Sequence, residues 1–194
     1  MNLPNKLTLM RVFLIPFFLL FMYLNCPMHY FIALVIFAAA AITDALDGKI
    51  ARSRNLVTNF GKFLDPLADK VLVIAALAVF VELPEIHFGA VPLIIITARE
   101  FMVSGLRLLA ANSGVVVAAG MWGKLKTAFT MVAVIATLVW LSACNDLSIP
   151  FPEPMVKAVD NIVIPVLMWI SVALTVISGG VYLKGYWHLI DSDK

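Results

Sequence analysis

Four aspartates concentrate in one stretch of the chain, Thr43 to Lys70 (TDALDGKIARSRNLVTNFGKFLDPLADK): Asp44, Asp47, Asp65 and Asp69. Asp44, Asp47, Gly48 and Ala51 are spaced i, i+3, i+4, i+7, which on a helix is one face; Gly61, Asp65 and Asp69 recur every four residues, again one face. Carboxylates gathered in this way repel one another unless something neutralises them, and Arg52, Lys62 and Lys70 are spaced to face elsewhere in part. Hard divalent cations are the natural counter-ions. Mg²⁺ or Mn²⁺ take oxygen ligands, and two ions about 3.5–4 Å apart clamp a phosphoryl group for in-line displacement. The Asp pairs alone would suit a cation transporter equally well. Gly48, Ala51 and Gly61 favour phosphoryl chemistry: small residues on the acidic faces keep a crevice open where a bulky planar group can lie, and Arg52 supplies a bidentate phosphate donor.

The elements that must position these residues follow from composition. Of 194 residues 62% are apolar and only 13% charged, and the mean hydropathy is +1.00, against about 45–50% apolar and about 25% charged in an ordinary globular protein. That excludes a disordered chain, a coiled coil, a small disulfide scaffold and a soluble nucleic-acid binder. It predicts an all-α polytopic membrane protein, one domain over residues 1–194, with six transmembrane helices: Leu7 to Leu24, Met28 to Ala51, Phe60 to Val81, Phe88 to Ala111, Met121 to Ala143 and Ile162 to Leu183. Breaks fall at Asn25 to Pro27, Ser53 to Asn59, Glu82 to His87, Asn112 to Gly114, and in the Pro-rich stretch Asn145 to Asp160, expected to be a loop. The first span has no small-residue cleavage site behind it and is expected to be retained.

Counting Lys and Arg orients the serpentine. With the N-terminus inside, thirteen basic residues fall on the cytoplasmic side and only Lys157 on the other, so both termini are expected in the cytoplasm. Ahead of the first span, Asn5, Thr8 and Arg11 form a polar stripe opposite Leu3, Leu7 and Met10, with Pro4 suited to a first helical turn; this reads as a short N-terminal interfacial segment whose polar stripe is aimed at a cytoplasm-facing site, the alternative being a mere amphipathic anchor. All four aspartates lie within spans, where an ionisable residue costs about 2.5–3.5 kcal/mol even on the lenient insertion scale. The second and third spans are antiparallel and joined by a short loop, so the four carboxylates reach one depth at the cytoplasmic end.

The remaining reactive side chains carry less. Cys26 and Cys144 both fall near outer loops, where a disulfide is permitted if that side is oxidising. His29, His87 and His188 sit at span ends and read as interface residues, Trp122, Tyr182, Tyr186 and Trp187 as interfacial anchors, and Gly179-Gly180 as a helix-packing or dimer contact. A cation transporter would place its acids at the midplane between repeats, and the sequence has no second acidic hairpin.

Asp44-x-x-Asp47-Gly48-x-x-Ala51-Arg52, eight residues, then Gly61-x-x-x-Asp65-x-x-x-Asp69 resembles the full signature of the CDP-alcohol phosphatidyltransferases, with every position matched. The resemblance extends to the Pro-Asn-x-Leu-Thr-x-x-Arg start, Phe63 to Lys70, Ala98 to Phe101 with Ser104 to Arg107, and Gly123 to Thr127; these stretches are similar to the bacterial branch that forms phosphatidylglycerophosphate. The resemblance implies transfer of a phosphatidyl group from CDP-diacylglycerol to sn-glycerol 3-phosphate with release of CMP. Serine, inositol phosphate or phosphatidylglycerol are the alternative acceptors within the family. It also implies a homodimer in a bacterial inner membrane, open to the cytoplasm, with two divalent ions, Mg²⁺ or Mn²⁺. By the same resemblance Asp44, Asp47, Asp65 and Asp69 hold the metals, and Asp69 also takes the acceptor's proton. Asn5, Thr8, Gly48, Arg52 and Thr58 would bind the CDP moiety, and the acyl chains would stay in lipid.

A phosphate dianion entering from the cytoplasm needs two or three cations beside the carboxylates, and Arg99, Arg107 and Lys124 are the candidates outside the signature. Arg99 and Arg107 stand eight residues apart on the fourth span, about 12 Å by helical rise. Glu100, next to Arg99, is expected not to face it on the same helix.

Overall fold

The computed structural model describes residues 3–53, 59–112 and 120–190, and for 3–7, 44–53, 59–66, 69, 111–112 and 188–190 it describes the helical backbone alone. Among the described residues every regular element is helical: α1 (Leu3–Tyr23), α2 (His29–Ser53), α3 (Asn59–Glu82), α4 (Val91–Asn112), α5 (Met121–Leu141), a π-helical turn (Ser142–Asp146), α6 (Glu153–Ala158), a second π-helical turn (Val159–Val163) and α7 (Ile164–Ile190). Six of these are long helices and follow the six expected spans, with two differences. The N-terminal lead-in is no separate segment: α1 begins at Leu3, with Pro4 in its first turn where a missing N–H costs nothing, and runs without a break through Pro16 to Tyr23. The Pro-rich stretch is not all loop either. Glu153–Ala158 is already helical and leads through Val159–Val163 into α7. Pro165 has no N–H for the carbonyl four residues back and its ring crowds that carbonyl, so the helix widens into a π turn just upstream of it.

The chain divides into two units, residues 1–82 with 134–155, and residues 83–133 with 156–194. In the first, α1 packs on α2 and α3. Its buried stripe is Thr8, Arg11, Ile15, Phe18 and Met22, met by Ala33, Phe37 and Ala40 of α2 and by Leu72, Ala76 and Phe80 of α3. The Phe18 and Phe37 rings lie 5.7 Å apart. At one end Tyr23 donates to Glu82 (2.6 Å), and the Asp146 carboxylate accepts from the Phe31 backbone N–H (2.6 Å), capping the first turn of α2. Cys26 and Cys144 are both free thiols. In the second unit α4 packs along α7, with Ile96, Val103, Leu106 and Ala110 against Met168, Val172 and Tyr182 among the buried residues.

The distribution of polarity is inside out. Arg11 is fully buried on α1 while Phe13, on the opposite face, is 61% exposed; Thr130, Thr137, Ser171, Thr175 and Ser178 are buried while Ile94, Leu108, Val132 and Val176 point outward. Several of the helix hydroxyls are satisfied inside their own helix by the carbonyl four residues back: Thr43 on Ala39 (2.6 Å), Thr130 on Lys126 (2.9 Å), Thr175 on Ser171 (2.6 Å). Water would reverse this arrangement; an apolar solvent, which cannot hydrogen-bond, favours it. Two helical stretches, Met121–Asp146 and Glu153–Trp187, are long and apolar enough to cross a membrane by length and composition. This is a membrane protein.

Candidate active site

The acidic face of α2 continues that helix's core stripe. Tyr30, Ala33, Phe37 and Ala40 are buried at i+3 and i+4 steps, and the next steps are positions 44, 47 and 51, occupied by Asp44, Asp47 and Ala51. On α3 the stripe Phe80, Ala76, Leu72 runs back by the same steps to Asp69 and Asp65. The signature thus occupies the register positions that, one or two turns further along each helix, are filled by apolar core residues of the first unit. Those helical positions are described, whereas the side chains of Asp44, Asp47, Gly48, Arg52, Asp65, Asp69 and Asn5, and the whole of Thr58, lie outside the described residues. As a donor set, four carboxylates in two pairs suit hard divalent cations.

Helix α1 adds polar groups to the same interior. α1 and α2 are antiparallel, joined by a short connection across which the His29 ring meets the Phe21 carbonyl (3.2 Å). Counting from the Phe18–Phe37 contact, seven residues back along α1 and seven forward along α2 bring positions 11 and 44 to one level; ten residues bring 8 and 47 together. Thr8 and Arg11 are both buried, so these two members of the polar stripe face into the helices, as a stripe aimed at a site does and a mere amphipathic anchor does not.

The cations expected for the acceptor lie in the second unit. Arg99, 9% exposed, donates from Nη2 to Ser178 Oγ of α7 (2.6 Å) and from Nη1 to Glu100 Oε1 (2.8 Å). The latter bond overturns the expectation that Glu100 cannot face Arg99. Neighbours on a helix start about 100° apart, but both chains are long enough to bend back, and they have a reason to: Lys126 Nζ of α5 donates to the same Glu100 oxygen (2.5 Å). Two cations on one carboxylate leave the triad one positive charge in excess. Arg107 donates from Nη2 to the Tyr182 hydroxyl (3.0 Å), which also accepts from the Gly120 backbone N–H (2.9 Å). The guanidinium carbons of Arg99 and Arg107 each lie 5.5 Å from the Tyr182 ring centroid, a cation–π distance. Arg99 and Arg107 are therefore brought together, on one ring.

Lys124 is exposed and does not join them. Lys126 does, at 4% exposure. The reason is register: the buried face of α5 runs Lys126, Thr130, Ala133, Thr137, and a residue two positions earlier points away from it. That spacing was readable in the sequence. Tyr182 is a second correction, since it is buried (5% exposed) and hydrogen-bonded rather than an interfacial anchor; hydropathy gives no hint of partners 62 and 75 residues away along the chain. Beside it a cavity of about 390 Å³ is lined by Gly120, Trp122, Val181, Tyr182, Gly185 and Tyr186.

Comparison with known proteins places these residues in a lineage. Residues 1–177 match the family described as CDP-alcohol phosphatidyltransferase. The chain is 40% identical to a protein of Bacillus subtilis (strain 168) over 100% of this chain and 99% of that one. It is 37% identical to one of Rickettsia bellii over 94% of each, and 45% identical to one of Escherichia coli (strain K12) over 72% of this chain and 77% of the other. All three carry the name CDP-diacylglycerol–glycerol-3-phosphate 3-phosphatidyltransferase.

Proposed function

The chain belongs to the CDP-alcohol phosphatidyltransferase family, and from that membership we propose that it transfers the phosphatidyl group of CDP-diacylglycerol to sn-glycerol 3-phosphate, giving phosphatidylglycerophosphate and CMP. The observation that carries this reading is full-length similarity to relatives of that name combined with a signature in which no position is missing. The hydroxyl oxygen of the acceptor forms a bond to the phosphorus that bears the diacylglycerol, the bond from that phosphorus to the CMP phosphate oxygen breaks, and CMP departs with the electron pair. Atoms balance without a covalent enzyme intermediate.

Asp44, Asp47, Asp65 and Asp69 are the residues that would hold two divalent ions, Mg²⁺ or Mn²⁺. Bound there, the ions supply charge neutralisation for the pyrophosphate and its leaving group. Asp69 receives the proton of the acceptor hydroxyl. Gly48, Arg52, Thr58, Asn5 and Thr8 bind the CDP moiety, Gly48 by leaving room and Arg52 by its fork of donors. Arg99 and Arg107 take the phosphate of the acceptor, supported by the excess positive charge around Glu100 and the shared Tyr182 ring; Lys124, exposed and apart from them, has no such support.

All six long helices cross the membrane in this reading. Each has 21 to 27 residues, close to the roughly 20 that span a bilayer, and large apolar side chains stand exposed on each of them. The thirteen-to-one bias of basic residues supports a topology with both termini and the site facing the cytoplasm; in this reading the membrane is a bacterial inner membrane, and the enzyme works there as a homodimer among membrane lipids. The test is product identity. Purified protein is given CDP-diacylglycerol with glycerol 3-phosphate, serine, inositol phosphate or phosphatidylglycerol in turn; phosphatidylglycerophosphate is expected from the first alone, and a new lipid from another acceptor instead would refute the assignment.

A further inference from the structure

We propose that Tyr182 is a positioning residue for the acceptor phosphate: through its hydroxyl and its ring it holds Arg107 and Arg99 as a fixed pair of guanidiniums. The inference rests on the reading that these two arginines take that phosphate. Their backbones are separated by two turns of α4, about 12 Å of rise, and the two side chains are anchored unequally. Arg99 is already held by Ser178 and Glu100, and Gly179 makes room for its stem, since a Cβ there would stand 3.2 Å from Arg99 Cγ. Arg107 is on the exposed side of the cluster, and a long exposed arginine loses much rotamer freedom when a ligand captures it. The Tyr182 hydroxyl takes that loss in advance by accepting from Arg107 Nη2 at 3.0 Å.

The phenol is itself fixed. Its oxygen accepts the Gly120 N–H at 2.9 Å, which ties α7 to the start of α5, and Gly123 lies beside it, a Cβ there standing 3.4 Å away at ordinary contact distance. With both lone pairs of the oxygen engaged and both guanidinium carbons 5.5 Å from the ring, Tyr182 fixes where two phosphate-binding cations stand without needing to touch the phosphate. Preorganisation of this kind tightens binding of one ligand without a new contact.

The experiment uses the full-length protein in detergent micelles containing CDP-diacylglycerol, with Tyr182→Phe, Tyr182→Leu, Arg107→Ala and the Tyr182→Phe/Arg107→Ala double variant. Tyr182→Phe keeps the ring and removes the hydroxyl. It is expected to raise the apparent KM for glycerol 3-phosphate about tenfold, with kcat and the KM for CDP-diacylglycerol near wild type; Tyr182→Leu should raise it further. Because the hydroxyl acts through Arg107, adding Tyr182→Phe to Arg107→Ala should change KM by less than about twofold. Equal losses toward both substrates, or full additivity with Arg107→Ala, would overturn the proposal. A wild-type KM in Tyr182→Phe beside a raised KM in Arg107→Ala would overturn the role of Tyr182 and leave the acceptor reading standing, whereas a wild-type KM in Arg107→Ala would overturn the acceptor reading itself.

Discussion

Asparagine differs from aspartate by one charge and almost no volume, so it separates what the carboxylates do from how they pack. Asp47→Asn or Asp65→Asn removes a ligand charge, and activity should fall by orders of magnitude even at saturating Mg²⁺, with unchanged thermal unfolding in detergent; turnover like wild type would refute the metal-site reading. Lys124 and Lys126 offer a second contrast. Lys126→Met removes a charged hydrogen bond from Glu100 but leaves it paired with Arg99, and should cost about 1.5–3 kcal/mol, whereas Lys124→Met, at an exposed position, should stay within about 0.5 kcal/mol; unfolding midpoints of the two variants decide it. The helix faces that carry the aspartates were legible in the sequence because their spacing continues the i+3 and i+4 steps of the buried stripes on α2 and α3. Lys126 was less so, because a lysine near a helix start is ordinarily a snorkelling one, and only the run Thr130, Ala133, Thr137 that follows it marks the buried side.

At the scale of elements, hydropathy located the long helices well and their ends less well. α3 and α4 end at Glu82 and Asn112, within one residue of the expected Val81 and Ala111, but α4 begins at Val91 rather than Phe88 and α7 runs on past Leu183 to Ile190. Helical structure also persists where composition suggested otherwise: Glu153–Ala158 carries two prolines' worth of loop character around it, yet Pro154 sits in a first turn, where proline is tolerated. The lead-in merged with α1 for the same reason at Pro4. How α4 meets α7 could not be read from periodicity, because it includes Gly179 admitting the Arg99 stem, a fit that the spacing of apolar residues does not report. Gly179→Val would drive two methyl groups into Arg99 and Met102 and should destabilise by about 1–3 kcal/mol. Gly180→Ala, with nothing within 4 Å of the added Cβ, should be neutral or stabilise by up to about 1 kcal/mol. Equal effects at the two positions, followed by thermal unfolding, would contradict the packing described.

The whole molecule is arranged for an apolar solvent outside and charge inside, which composition announced and the burial of Arg11, Arg99 and Lys126 bears out. What composition could not announce was which charges meet, since that depends on side chains from α4, α5 and α7 converging on Glu100 and Tyr182. The charge bias of the loops predicts that a reporter fused to either terminus is reached by a membrane-impermeant reagent only from the cytoplasmic face; labelling of either terminus from outside in intact cells would refute that topology. The claim on which the account most depends is acceptor-dependent phosphatidyl transfer, and it is tested most directly by following CMP and lipid together in one vessel. With purified full-length protein, CDP-diacylglycerol and Mg²⁺, CMP should appear only after glycerol 3-phosphate is added, mole for mole with phosphatidylglycerophosphate, and should stop on chelation of the metal. CMP release that proceeds at the same rate without glycerol 3-phosphate, or that yields no phosphatidylglycerophosphate, would contradict it.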